Sequence, residues 1–409
     1  MTRNDLYDVA FHYKKVGLWK KLWDNEVFAV KLKRGEIGYI SIMGQNGEYN
    51  AIGLYIGEEG FGSYRIIANA GGPTGSPFKD HELLLQQRCL QVALETKENL
   101  MPEEVEEVRA YAKVNGIKLT GKNAYPQFIK YEPGYYPWKV QTKEDTEALY
   151  EALLASCLLA EVLKTASPES IGIEPIHPET KEVPLFEVKG ETIVSLGFTP
   201  LPGDLDIHYD PVIADNQIPR AAVKKLPRKG IWETELLCMM EPVQNSPEET
   251  PYYPMLLLVV ESKSGYMLPV PLVDHAEKRP QEVLQAFANA WKSQGCYPKE
   301  IRCRDERTYA LLKDFCEKTD VKVSIYKKAM PALDEAEEAL LDQSLGGDDD
   351  EISDQMMEVI DAILSMSEQE LKMIPKPLLQ ELKMVMEHDI FPKDIAAKLR
   401  AKLKGVGKD

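Results

Sequence analysis

The sequence has few cysteines and histidines, the residues on which small domains stabilised by disulfides or zinc depend. Its 409 residues include six cysteines and six histidines, with no Cys-x-x-Cys pair and no histidine spacing to match. This pattern excludes a zinc finger and a disulfide framework. The cysteines lie mostly within apolar patterns, which predicts small buried side chains in a reducing compartment.

Long apolar runs are also lacking. The run at 152–160 falls far short of the ~20 residues that span a bilayer. The opening Met-Thr-Arg-Asn-Asp has no apolar core of the kind found in secretion signals. We therefore expect a cytoplasmic protein of bacterial type with no membrane partner.

Basic clusters that would mark a nucleic-acid surface are not visible. The formal net charge is -17, but 14 acidic residues lie in 329–371, which contains no Lys or Arg, so the rest of the chain carries only -3. A nearly neutral body neither supports nor excludes a phosphate-binding face.

Motifs of nucleotide binding and serine hydrolysis are missing too. The glycine-rich stretches at 57–62 and 70–76 contain no Gly-Lys-Ser or Gly-Lys-Thr, and ordinary loops are predicted there. No Gly-x-Ser-x-Gly sequence occurs, so a Ser/His/Asp hydrolase is the least favoured class.

The length and the local patterns predict a multidomain protein of mixed α+β and α/β class. We divide it into an N-terminal α+β module (1–166), a proline-rich connecting region (167–228), a mixed sheet with flanking helices (229–343), an acidic hinge (344–352) and a helical tail (353–409). In the first module, strands are expected at 27–32, 37–43 and 51–56 and a long helix at 143–164. An aromatic cluster at 131–138 is expected to pack as a structural loop under that helix.

The stretch from Tyr253 to Glu338 has the most informative order of elements. An unbroken apolar run at 254–261 is typical of a central strand buried on both faces, and a second strand is expected at 266–273. A helix, a strand, a helix, a strand and a helix then follow up to residue 343. We expect one core that contains Leu256, Leu258, Val260, Phe287, Trp291, Ile301, Phe315 and Val323.

This order resembles the core of the ribonuclease H-like superfamily, especially the catalytic domains of integrases and transposases, over about a fifth of the chain. The resemblance implies two divalent metal ions, Mg²⁺ or Mn²⁺, held by acids on the first strand, after the strand that follows the first helix, and on the last helix. Glu261 and Asp305 stand at the first two places and would be the metal ligands. The third acid is one of Glu335, Glu337 or Glu338, of which Glu338 is taken as the catalytic candidate.

The same residues have ordinary structural interpretations. Asp305 can cap the helix that follows it, Glu261 can be a strand-end carboxylate facing water, and the acids at 334–338 can form a solvated helix face. Glu261 also stands where the superfamily usually has Asp, and Glu306-Arg307 stands where integrases commonly have Asn-Gly. We therefore favour a non-enzymatic binding protein without a cofactor. The alternative is a metal-dependent nuclease or polynucleotidyl transferase, and only that alternative has nucleic acid as a partner.

The predicted tail carries two apolar stripes at helical spacing. The first contains Met356, Val359, Ile360, Ile363 and Met366, and the second contains Leu379, Leu382, Val385 and Met386. Six of the 14 methionines lie in this tail, and flexible thioether side chains adapt to irregular partners. The stripes need a cover, either each other or another protein, and a protein partner is the expectation that we carry forward.

Overall fold

The computed structural model describes residues 2–345 except 48, 73 and 248. The predicted helical tail, and all but the first two residues of the predicted hinge, lie outside the described residues. Within the described part, two sheets are each flanked by helices, which confirms the mixed class.

The N-terminal sheet has eight strands in the order β6-β5-β4-β3-β2-β1-β7-β8. The strands are β1 (Phe28–Lys31), β2 (Ile37–Met43), β3 (Asn50–Ile56), β4 (Cys89–Glu95), β5 (Tyr125–Tyr131), β6 (Trp138–Lys139), β7 (Glu182–Lys189) and β8 (Thr192–Pro200). All neighbours pair antiparallel except β1 and β7, which are parallel. The three strands predicted near the start of the chain, at 27–32, 37–43 and 51–56, are present as β1, β2 and β3.

The proline-rich connecting region at 167–228, in which the sequence pattern predicts short strands at 183–188 and 191–198, supplies β7 and β8 of this sheet. Ala29 pairs with Leu185 and Val30 with Phe186, so β7 lies directly beside β1. Recurring prolines suggested a linker, but Pro184 lies at a register shift in β7. A proline at such an irregularity need not donate a ladder hydrogen bond.

Five α-helices accompany the N-terminal sheet. They are α1 (Arg3–Val16), α2 (Gly57–Ala68), α3 (Pro77–Leu84), α4 (Pro102–Val114) and α5 (Lys143–Val162). No helix in the described part of the chain is long and apolar enough to cross a bilayer. The side chain of Thr142 accepts a hydrogen bond from the Asp145 N–H and caps α5, as its sequence predicts.

The prediction of an ordinary loop at 57–62 is wrong, because these residues form the start of α2. Gly60 and Gly62 are buried there. A Cβ atom on Gly60 would lie 2.9 Å from the Tyr55 carbonyl carbon, and one on Gly62 would lie 2.3 Å from the Leu205 side chain. These glycines allow close packing of a helix rather than a flexible loop.

The second sheet has four strands in the order β10-β9-β11-β12. Its elements are α6 (Gln217–Ala222), β9 (Ile231–Cys238), β10 (Met255–Glu261), α7 (Pro280–Gln294), β11 (Glu300–Cys303), α8 (Glu306–Lys318), β12 (Lys322–Ile325) and α9 (Pro331–Leu345). We call residues 217–333 the central module. β9 pairs antiparallel with β10 and parallel with β11, and β11 pairs parallel with β12.

The central strand of this sheet is β9, not β10 as the apolar run at 254–261 predicted. β9 lies between β10 and β11, so β10 pairs with neither of the later strands of the sheet. The strand expected at 266–273 is reduced to two isolated bridges, Met267 to Val260 and Val273 to Met255. Pro269 and Pro271 lack the N–H groups that a regular ladder needs there.

The core under α7 and α8 includes Phe287, Trp291, Ile301 and Phe315, as predicted, with Val323 packed against it. From β10, however, it receives Leu257 and Val259 rather than the three residues predicted. Leu256, Leu258 and Val260 belong to the opposite face, because successive strand residues alternate. An unbroken apolar run carries no period of two from which its faces could be assigned.

Candidate functional site in the central module

Two buried carboxylates lie on the central strand β9, and two arginines lie beside them on β11. Glu233 and Glu235 are only 2% and 3% exposed, on the sheet face opposite α7 and α8. The parallel register places Arg302 next to Glu233. Arg304 Nε lies 2.9 Å from Glu235 Oε2, and Arg302 Nη1 lies 3.8 Å from Glu233 Oε1. We call these four residues the Glu–Arg ladder.

The ladder is supported by further polar contacts. Ser262 Oγ donates to Glu233 Oε1 at 2.6 Å, and the Leu333 N–H donates to Glu233 Oε2 at 3.4 Å. The Arg302 guanidinium lies 4.2 Å from the centroid of the Tyr326 ring, which is cation–π geometry. A buried charge is tolerated only when it is paired and hydrogen-bonded, and Glu233 meets that condition within the protein.

Glu261, the first predicted ligand, holds a turn at the end of β10. Its Oε2 accepts hydrogen bonds from the Ser264 N–H and Oγ, both at 2.7 Å, and from the Lys263 N–H at 3.1 Å. Partial burial alone would raise the pKa of Glu261, but the hydrogen bonds from Ser264 and Lys263 outweigh it and lower the pKa. The carboxylate therefore acts as the acceptor for this turn.

Asp305, the second predicted ligand, is the N-cap of α8. Its Oδ1 accepts a hydrogen bond from the Thr308 N–H at 2.7 Å. Thr308 in turn accepts one from the Leu236 N–H at 2.9 Å, which ties the first turn of α8 to β9. The residue type is therefore explained by helix capping.

The structure does not bring Glu261 and Asp305 together. Glu261 lies level with Trp232 on β9, which lies level with Ile301 on β11, and Asp305 is four residues further along the chain. At about 3.3 Å per residue, this places the two acids roughly 13 Å apart along the strands, in addition to the separation across two strand pairs. Paired metals lie only about 4 Å apart.

Glu338, the third candidate, lies on α9 with its side chain exposed. Within residues 2–345, leaving out the three that are not described, no group of three His, Cys, Asp or Glu side chains is arranged to hold a metal ion.

Residues of the N-terminal module contact the central module beside Asp305. Arg307 donates through Nη1 to Glu82 Oε1, through Nη2 to Glu82 Oε2 at 3.1 Å, and through Nη2 to the Leu236 carbonyl. Burial would lower the pKa of Arg307, but the carboxylates of Glu82 and Asp305 outweigh it and raise the pKa. This bidentate pair joins α3 to the start of α8.

The aromatic cluster at 131–138 contributes to the same junction. The Tyr136 N–H donates to the Pro251 carbonyl at 2.9 Å, and the Tyr253 N–H donates to the Gly134 carbonyl at 3.0 Å. Lys278 Nζ donates to the Tyr135 hydroxyl at 2.6 Å. The cluster therefore connects the N-terminal module to the central module.

Sequence reasoning missed the Glu–Arg ladder, although the signal is present. Glu233 and Glu235 alternate with Trp232 and Leu236, while the two arginines alternate with Ile301 and Cys303 on the other strand. Opposite charges that alternate with apolar residues on two neighbouring strands predict a buried ion-pair face.

Comparison with known proteins gives two matched regions. Residues 4–174 match a family described as a domain of unknown function (DUF7309), and residues 220–341 match another (DUF6930). No curated protein matches the sequence. Among solved structures, the integrase catalytic core domain of HTLV-2 in complex with magnesium is similar at 15% identity, over 44% of this chain and 87% of that one, with a TM-score of 0.19. A TM-score this low assigns neither fold nor function.

Proposed function

We propose that this chain is a non-enzymatic binding protein whose central module serves as a scaffold. The observation that carries the proposal is the Glu–Arg ladder, in which the carboxylates of the central strand are neutralised by arginines of the neighbouring strand. Carboxylates committed to arginines are poor ligands for Mg²⁺, which needs free oxygen donors in near-octahedral geometry. The capping bonds of Asp305 and the turn bonds of Glu261 point in the same direction.

We expect no cleavage of single- or double-stranded DNA or RNA by the purified protein in Mg²⁺ or Mn²⁺. Asp305→Asn tests the alternative of a nuclease, because asparagine caps helices about as well as aspartate but is a weaker metal ligand. Asp320→Asn is the matched control, since Asp320 has a side chain that is 97% exposed. Metal-dependent cleavage that Asp305→Asn or Glu338→Gln abolishes, and that Asp320→Asn leaves intact, would overturn the proposal.

We further propose that residues 351–409 dock a protein partner. The support is in the sequence, where the first apolar stripe contains three aliphatic and two methionine side chains at helical spacing. Such a stripe fits the groove of a partner, and methionines adapt to irregular surfaces.

Pull-down with the full-length chain tests the docking role. Ile360→Asp is expected to abolish the binding of captured proteins, because it places a charge in the middle of the stripe. Ser365→Asp adds the same charge to the same segment but lies outside the stripe, and should leave capture unchanged. Limited proteolysis should cut first between 346 and 350, since that segment has no apolar residue. Capture that persists after removal of residues 351–409 would contradict the docking role.

A further inference from the structure

A cavity of about 410 Å³ lies between the N-terminal and central modules. Its walls come from the end of α3 in the N-terminal module, from the central module, and from the segment Ile207–Val212, which connects the two modules along the chain. Cavities that hold small molecules have volumes of about 300–1,000 Å³ and occur preferentially where two structural units meet.

The lining of this cavity is mainly apolar. Leu85 and Pro133 come from the N-terminal module, and Ile207 and Val212 come from the crossing segment. The central module contributes Leu236, Met255, Val283, Ala310 and Leu311. A ligand would therefore be held chiefly by burial of apolar surface.

Arg307 lines the cavity, but its guanidinium group is engaged elsewhere. Nη1 and Nη2 donate to Glu82 and to the Leu236 carbonyl. Nε is buried, so it presents no donor to a molecule in the cavity. Arg307 therefore gives an anionic ligand no charge-assisted hydrogen bond.

The other charged groups of the lining disfavour an anion. Asp210 and Glu277 add two carboxylates, whose side chains are 95% and 47% exposed, and the only other titratable base is His208, which lies 3.4 Å from Asp210. Together with Glu82 they outnumber the single guanidinium. A phosphate or carboxylate ligand would meet net repulsion on entry.

From these features we infer that the cavity between the modules binds a small, uncharged, mainly apolar molecule. The inference rests on the proposed function, since it names one class of ligand for a binding protein. It is tested without any nuclease assay, so either proposal can fail alone.

The experiment uses the full-length chain and the uncharged fluorescent probe Nile red. We expect a saturable rise in fluorescence that 4-phenylbutan-1-ol reverses. 4-Phenylbutyrate has the same apolar body and a negative charge, and should need a concentration about tenfold higher or more to displace the same amount of probe. 4-Phenylbutylamine should also compete more weakly than the alcohol, because its ammonium group would lose its hydration against the mainly apolar lining. Stronger competition by the amine would show that the carboxylates select a cation, and would contradict the inference. Equal competition by the alcohol and the carboxylate, or no competition by the alcohol, would overturn the inference.

Matched variants locate the bound probe. Val212→Trp fills the cavity and should weaken binding about tenfold or more, whereas Ile213→Trp adds the same ring next to it at a side chain that is 68% exposed and does not line the cavity. Leu85→Trp fills the cavity from the opposite module and decides the result if Val212→Trp does not fold, as judged by thermal unfolding. Binding that survives in every folded cavity-filling variant places the probe elsewhere and contradicts the inference.

Discussion

Arg304→Met is expected to lower the free energy of unfolding by about 3–5 kcal/mol, because it removes the guanidinium whose Nε lies 2.9 Å from the buried Glu235 carboxylate. The two side chains are 19% and 4% exposed, so water replaces little of the lost interaction. Urea unfolding followed by tryptophan fluorescence measures the change.

The double variant Glu235→Leu/Arg304→Met separates the strength of the ion pair from the cost of breaking it. Removing both charges in favour of apolar side chains of similar size should leave the protein about as stable as the parent or more so. Arg109→Met is the control, because Arg109 and Glu106 form an exposed pair and should contribute less than about 1 kcal/mol. A single variant as stable as the parent, or a double variant less stable than the single one, would contradict the structural role of the ladder.

Arg307→Met is expected to cost about 2–3 kcal/mol and to loosen the junction of the two modules. The side chains of Arg307 and Glu82 are 14% and 23% exposed, so the pair is slightly less buried than Glu235 and Arg304. Arg307→Lys should recover only part of the loss, because an ammonium group cannot reproduce the bidentate contact. Calorimetry should show the thermal transition broaden or divide as the two modules begin to unfold separately.

The exposed pair of Arg88 and Glu59 supplies the matched control. These side chains are 47% and 72% exposed with a 3.5 Å separation, so Arg88→Met should shift the free energy of unfolding by less than about 1 kcal/mol. If Arg307→Met has the same small effect and the transition stays as sharp as in the parent, the bidentate pair does not couple the modules.

Much of the secondary structure follows from local sequence. The spacing of apolar residues predicted α7, and Gly295 ends that helix in the left-handed conformation that glycine adopts easily. Asp305 as an N-cap was also accessible from sequence, because the chemistry of a cap depends on residues only three positions apart. These features are decided within a turn or two of the chain.

Strand order could not be obtained in the same way. The apolar run at 254–261 predicted a central strand, yet β10 pairs in the sheet with β9 and otherwise forms isolated bridges at Met255 and Val260. In β9, charged residues such as Glu233 and Glu235 alternate with apolar ones, a pattern typical of a half-exposed strand. The carboxylates on its second face are paired with arginines 69 residues further along the chain, and such long-range compensation leaves no local period.

The placement of the candidate site residues could not be derived for the same reason. Glu261 and Asp305 are both strand-end acids, but convergence depends on whether their strands run in the same direction. β10 runs antiparallel to β9, and β11 runs parallel to it. The carboxyl ends of β10 and β11 therefore point in opposite directions along the strands. With β9 unrecognised as the central strand, the direction of β10 relative to β11 could not be derived.

A ribosome has to add about 150 residues after β1 before that strand's second neighbour, β7, exists. At roughly 5–20 residues per second, the hydrogen-bonding groups along one side of β1 therefore wait several seconds or longer during synthesis. An open strand edge is a template for pairing with other chains, and pairings between distant segments form slowly. The nascent N-terminal sheet thus passes through a period of vulnerability to aggregation that ends only when residues 182–189 leave the exit tunnel.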